Sequence, residues 1–228
     1  MLFRSLAAAV RLRQRLSQAD ITVIEKQGRF FSLPLSNRVL AGVLDPALLR
    51  RDYMQAARRH GWRHWQGVVS AIDRQQRTVS LGDQRIPYDY LVLAVGLGPD
   101  YSAWFGDDHA GARMTQTRFG AAWHNEDEFL DLERRLAAFT GGKLLMNLPA
   151  MPMRCPPAPY ERAIALAHRF RQQGIRGRIT LLDPGPGALG FRQLFADYYA
   201  DVITHVPHAP IVKLDPQRRV ASTDFADY

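Results

Sequence analysis

Pro149 to Ala163 reads PAMPMRCPPAPYERA, and this stretch decides the fold. In front of it lies a short apolar run, Lys143 to Leu148 (KLLMNL), opened by Gly141 and Gly142. Behind it, Tyr160 to Gln172 carries Ile164, Leu166, Ala167 and Phe170 at helical spacing. Strand, loop and helix in that order open a βαβ unit, and in α/β sheets ligands collect outside the carboxyl ends of the strands. A loop that cradled a pyrophosphate would need glycines, so that backbone N–H groups could approach it. This one has five prolines, no glycine and the chain's single cysteine, Cys155. Proline stiffens a turn and removes donors, so the loop is built to hold a thiol rather than a phosphate.

Downstream, Ile179 to Asp183 (ITLLD) is predicted as the next parallel strand, reached by a right-handed crossover. GPGALG after it lacks the GxGxxG spacing and reads as a turn. Phe191 to Tyr199 follows as a short helix, and Ile211–Leu214 with Arg219–Ala221 as a hairpin around DPQR. Upstream, Phe119 to Phe139 is predicted as one long amphipathic helix interrupted near Asn125, with Tyr101 to Gly111 as a loop before it. Tyr88 to Gly96 (YDYLVLAVG) is a near-continuous apolar run, expected to be a parallel strand buried on both faces. It ends in Gly96, where a backbone can approach a ligand closely. Residues 62–87 read as a β-meander, and Asp45 to His60 as a helix with Pro46 in its first turn.

Leu6 to Ser17 is an amphipathic helix, and Ile21 to Glu25 (ITVIE) a β-branched strand ending in an acid. A helix followed by such a strand is the second half of a nucleotide-binding βαβ unit, whose acid accepts hydrogen bonds from a ribose. Glu25 fits that role and fits equally an ordinary strand-end carboxylate. Only MLFRS stands before Leu6, too little for a first strand and its glycine loop, so the chain is expected to begin inside that domain. Between these landmarks Phe30 to Gly42 leads into a helix or turn that Ser36 or Asn37 could cap.

With 228 residues, nearly half of them apolar, the chain can bury a real core as one large or two small domains. Its net charge is +8, and 27 of its 30 basic residues are arginine. The arginine pairs (Arg134 and Arg135, Arg169 and Arg171 among them) read as solvated helix faces, or as a surface for an acidic electron-transfer partner. No nucleic-acid recognition motif is visible. One cysteine cannot close an internal disulfide, and no zinc spacing is present. His60 and His64 stand four apart, but Gly61 breaks the helix a metal pair would need, so both read as surface histidines. No apolar run approaches the roughly 20 residues of a membrane span, and no signal peptide pattern is seen.

RCPPAPYERA after a GGK strand resembles the sulfide dehydrogenase flavoproteins, the FAD subunit of flavocytochrome c and its sulfide:quinone oxidoreductase cousins. The resemblance extends more loosely over nearly the whole chain. It implies an α/β, glutathione-reductase-like fold with two dinucleotide-binding domains, here incomplete. Residues 1–108 would be a partial FAD domain and 109–210 a second Rossmann-like domain carrying the cysteine loop. Residues 211–228 would return toward the first. It also implies that Cys155 is half of a redox-active disulfide beside the flavin, with Glu161 as a proton-transfer group. The second cysteine of the family would lie beyond residue 228. FAD contacts would come from Glu25, Lys26, Pro34, Ser36, Asn37, Val69, Ala94 and Gly96, and Trp123 resembles the family's tryptophan before the long helix. A buried inert thiol is the alternative for Cys155, sheet core for Val69, and a strand-terminating glycine for Gly96. The implied chemistry is sulfide oxidation, with electrons passing through flavin to a c-type cytochrome or a quinone. The implied compartment is the periplasm. MPMRCPP stands where a second glycine loop would bind a nicotinamide nucleotide, which argues against NAD(P)H as donor. Adjacent Arg154 suits a thiolate. The chain is expected to be a fragment, with its own activity in question, or a non-catalytic module that docks a cytochrome through its basic face.

Overall fold

The computed structural model describes residues 3–228. In chain order its elements begin with α1 (Phe3–Arg15), β1 (Thr22–Glu25) and β2 (Arg29–Phe31). Next come α2 (Ser36–Leu40), β3 (Arg50–Asp52), α3 (Tyr53–His60) and β4 (Arg63–Gln66). Three short strands follow, β5 (Val69–Asp73), β6 (Thr78–Leu81) and β7 (Gln84–Pro87), then α4 (Ser102–Phe105), α5 (His109–Phe119) and α6 (Glu126–Ala137). The last part runs β8 (Gly141–Asn147), α7 (Ala158–Gln172), β9 (Arg176–Leu182), α8 (Leu189–Tyr198), β10 (Ile203–Val206), β11 (Lys213–Asp215) and β12 (Val220–Ser222). These residues form two compact units, one reaching to Ser32 and taking in Ala47–Gly98, the other made of Leu33–Pro46 and Pro99–Tyr228.

In the first unit β1 and β4 pair in parallel, with Val23 opposite His64 and Glu25 opposite Gln66. Ala9, Ile21, Val23, Ala57 and Trp62 make its core, so the apolar stripes of α1 and α3 close over this small sheet. Asp45 to His60 is not one helix. The Asp52 carboxylate accepts hydrogen bonds from the amides of Met54 and Gln55, at 2.6 and 3.1 Å, and starts α3 there. The residues before it form β3, paired with β2. α3 ends at Gly61, whose φ of 72° is a left-handed conformation that costs glycine little. β5, β6 and β7 form the expected antiparallel meander.

The expectation for Tyr88 to Gly96 fails. Residues 88–98 form no strand, and Val92, Leu93 and Val95 are 59, 64 and 92% exposed. An apolar run becomes a buried strand only where neighbours supply both ladder partners and cover. Among the described residues no strand pairs with it.

The second unit is built on a parallel sheet in the order β10-β9-β8. The β8–α7–β9 crossover is the unit the opening sequence predicts. Central β9 buries Ile179, Leu181 and Leu182, and α7 lays Ala163, Leu166, Ala167 and Phe170 inward. Each fully buried large apolar side chain contributes about 1.5–3 kcal/mol. Gly177 on β9 lets Phe170 and Phe139 stack at 5.2 Å, since a β-carbon there would come within 2.7 Å of Phe170. The loop expected over Tyr101 to Gly111 instead holds α4 and the start of α5, with Gly106 to Asp108 between them and Asp108 capping α5. The long helix expected to Phe139 is α6 alone, started by Asn125, whose side chain accepts from the Glu128 amide at 2.9 Å.

Candidate functional site

β8 ends at Asn147, and the Leu148 amide still reaches the Leu182 carbonyl at 2.9 Å. The chain then leaves the sheet through the proline loop, so Cys155 stands on the connection from the carboxyl end of a parallel strand to a helix. Its thiol is exposed. The Cys155 carbonyl accepts from the Ala158 amide at 3.1 Å, which turns the loop into α7. Pro157 and Pro159 suit this entry, because a helix's first turn has no use for their missing N–H groups. Glu161 lies in that first turn and is exposed. Tyr160, between them in sequence, is buried.

The buried face of α7 holds two arginines that the sequence reading did not place there. Arg162 is 3% and Arg169 6% exposed, so the expectation of a solvated face fails for Arg169. Arg162 Nε donates to Asn37 Oδ1 at 2.9 Å, one terminal nitrogen donates to the Ala121 carbonyl, and the other to Ser36 Oγ at 3.4 Å. Its guanidinium carbon sits 3.3 Å above the Trp123 ring centre, a cation–π stack. Arg169 donates to the Leu40 carbonyl at 3.1 Å. Burial pushes the Arg162 guanidinium down to about 9, against a smaller upward pull from Glu128. It therefore stays charged at neutral pH. An apolar periodicity search scores such positions as breaks, yet Arg162 and Arg169 are seven apart, two turns along one helix face. That spacing was the available signal.

The same contacts place the Pro34 to Asn37 segment. Pro34 is exposed, Ser36 is fully buried and Asn37 half-buried. Asn37 Nδ2 donates to the Ala158 carbonyl at 3.2 Å, so this turn is bonded to the first residue of α7. Neither Ser36 nor Asn37 caps a helix. The residue at the cap of α2 is Leu35, with no side-chain bond. The second unit thus brings Ser36 and Asn37 onto the helix that Cys155 and Glu161 precede and open.

Glu25, Lys26, Val69, Ala94 and Gly96 belong to the first unit. Glu25 ends β1 half-buried, one carboxylate oxygen accepting from the Gln27 amide at 3.1 Å. Lys26 is exposed, Val69 is 40% exposed at the start of β5, and Ala94 and Gly96 lie half-buried in the irregular run. Gly96 has a φ of 82°, a left-handed conformation that favours glycine. Tyr53 and His64 stack at 5.1 Å, and the Tyr53 hydroxyl and His64 Nε2 are buried without a hydrogen-bond partner. Burial, then the Glu25 charge, raises the Tyr53 phenol well above its usual range. Burial lowers His64, against opposing pulls from Asp52 and Glu25. Buried polar atoms without partners call for a ligand or water. A half-buried carboxylate at the end of β1 is the type of group that accepts hydrogen bonds from the ribose of a dinucleotide such as FAD.

Of GPGALG, Gly185 to Ala188 form the expected non-helical bend, while Leu189 and Gly190 already open α8. The bend wraps Asp183, whose buried carboxylate accepts from the Gly185 amide at 2.8 Å and from the Tyr160 hydroxyl, and meets His205 Nε2 at 3.0 Å. Gly187 has a φ of 80°, and a β-carbon there would lie 2.4 Å from the His205 ring. Among the described residues no cluster of His, Cys, Asp and Glu is placed to hold a metal ion, and no helix is long and apolar enough to cross a membrane.

Residues 130–228 match the family model described as the central part of the sulfide dehydrogenase [flavocytochrome c] flavoprotein chain. The mitochondrial sulfide:quinone oxidoreductase of Mus musculus is 21% identical over 203 residues, covering 86% of this chain and 43% of that protein. The type II NADH:quinone oxidoreductase of Haemophilus influenzae is 32% identical over 94 residues, 36% of this chain and 21% of that one. The crystal structure of the sulfide:quinone oxidoreductase from the hyperthermophilic bacterium Aquifex aeolicus superposes with a TM-score of 0.72 at 20% identity, over 98% of this chain and 53% of the other. That likeness is one of fold, a Rossmann-like α/β architecture. The chain spans less than half the length of these two curated relatives.

Proposed function

We propose, for a chain that belongs to the sulfide dehydrogenase and sulfide:quinone oxidoreductase-like flavoproteins, that Cys155 is the sulfur that meets sulfide in an FAD-dependent oxidation. The observation that carries this is an exposed thiol on a glycine-free loop at the carboxyl end of β8, within the matched residues 130–228. As one half of a disulfide, whose other sulfur this single-cysteine chain does not supply, Cys155 accepts attack by HS⁻. The S–S bond breaks as a new S–S bond forms to Cys155, which becomes the persulfide, and the electron pair of the broken bond leaves on the partner cysteine's thiolate. Glu161, exposed on the first turn of α7, takes the proton that sulfide releases. When bound, FAD supplies the conversion of that electron pair into single-electron steps. The residues proposed to contact the cofactor are Glu25, Lys26, Pro34, Ser36, Asn37, Val69, Ala94 and Gly96.

We infer a c-type cytochrome as acceptor, in a periplasmic setting, supported by the flavocytochrome name of the matched family and the +8 charge. A quinone is the alternative, favoured by the mouse and Aquifex likenesses. The test is anaerobic addition of sulfide to the flavin-loaded protein extended to carry the second sulfur that pairs with Cys155, watching the flavin absorption band. Bleaching is expected in the wild type, with loss of at least about a hundredfold in rate for Cys155→Ser, as for removal of a reacting group. Equal bleaching in both would overturn the proposal.

A further inference from the structure

Arg162 is a buried cation whose close partners are all neutral: an amide oxygen, a carbonyl, a hydroxyl and an indole face. Stability alone does not call for it. A buried charge with no carboxylate in direct contact, only the more distant pull of Glu128, is costly, and apolar residues of similar size commonly replace such groups at no loss. What an apolar side chain cannot do is bridge three segments at once. The planar fork reaches the Ser36–Asn37 turn, the Ala121–Trp123 segment and its own helix together, and lysine, a single point donor, has no such geometry. Asn37 is held by this fork through Oδ1 and uses its Nδ2 on the Ala158 carbonyl. The Ala158 amide in turn holds the Cys155 carbonyl. A continuous path therefore runs from Arg162 through Asn37 and Ala158 to the thiol loop.

We propose that Arg162 is the positioning residue of the thiol site: it pins the Ser36–Asn37 turn to the first turn of α7 and so fixes the loop that presents Cys155. This rests on the reading that Cys155 and the Pro34–Asn37 segment serve one site. Arg169 separates that role from simple packing. It is equally buried and holds the same segment at Leu40, but has no bond to Asn37 or Ala158.

The experiment measures alkylation of Cys155 by iodoacetamide at fixed pH in the chain without added flavin, alongside thermal midpoints. Arg162→Met, Arg162→Lys and Asn37→Ala should each speed alkylation about threefold or more, the local opening expected when one net hydrogen bond is lost. Lysine should not rescue. Arg169→Met should lower the midpoint while leaving the rate within about twofold, because it does not touch the path. The Asn37→Ala/Arg162→Met double variant should be no faster than Arg162→Met, since both act along one path. Should Arg162→Met fail to fold, Asn37→Ala, at a half-buried position, carries the same test. Equal rates for Arg162→Met and Arg169→Met, or a wild-type rate for Asn37→Ala, would overturn the inference. Thiol alkylation needs no flavin, so a failed sulfide assay leaves this outcome readable on its own.

Discussion

Tyr160 and Arg162 sit two residues apart on α7 and put polar groups into different buried neighbourhoods. Tyr160 packs on Phe191 at 5.0 Å and gives its hydroxyl proton to Asp183. Burial, then the bond and charge of Asp183, pushes its phenol up to about 12 from the usual 10. The folded state therefore favours the neutral phenol. That contribution is complete below the ordinary value of about 10 and is lost as pH rises through the folded value of about 12. Urea titrations of the wild type and Tyr160→Phe should give a stability difference that is flat up to about pH 10, then shifts against the wild type. A difference unchanged to pH 12 would show that Tyr160 titrates normally. The cysteine loop was legible at this scale because its residue types are unusual. Arg162 was not, because an arginine's role depends on the residues across from it, and two of those, Ser36 and Asn37, lie more than 120 positions away in sequence.

Among the elements, β8, α7 and β9 could be read directly, since a two-glycine start, a proline-rich entry and a 3.6-residue period all agreed. α3 was misread because periodicity continues through Asp52, whereas capping chemistry does not. Asp52→Ala should cost about 1 kcal/mol, the usual loss for an N-cap, seen as a lower urea midpoint. The same substitution removes an upward pull on His64, so the imidazole should titrate still lower, followed by the NMR shift of its ring protons. A His64 titration that does not move would place the Asp52 charge out of reach. The apolar run at 91–95 was misread for the opposite reason: its pattern speaks only of what could be buried, and burial is granted by other segments.

At the scale of the whole molecule, the charge of +8 carried mostly by arginine governs encounter more than fold. If an acidic cytochrome is the acceptor, its association should weaken steeply from low salt to about 0.15 M, where the screening length is about 8 Å. Binding by surface plasmon resonance that ignores salt would count against that partner. The membership of residues 33–46 in the second unit was not legible, because the bonds that decide it span the chain. Finally, the Asp183 carboxylate ties distant parts of the second unit together: the Tyr160 phenol, the Gly185 amide and His205 Nε2 all meet it. A diol arriving at that strand end would compete with these internal partners for the acceptor capacity that remains, so the acid serves first as a clasp between helix, turn and sheet.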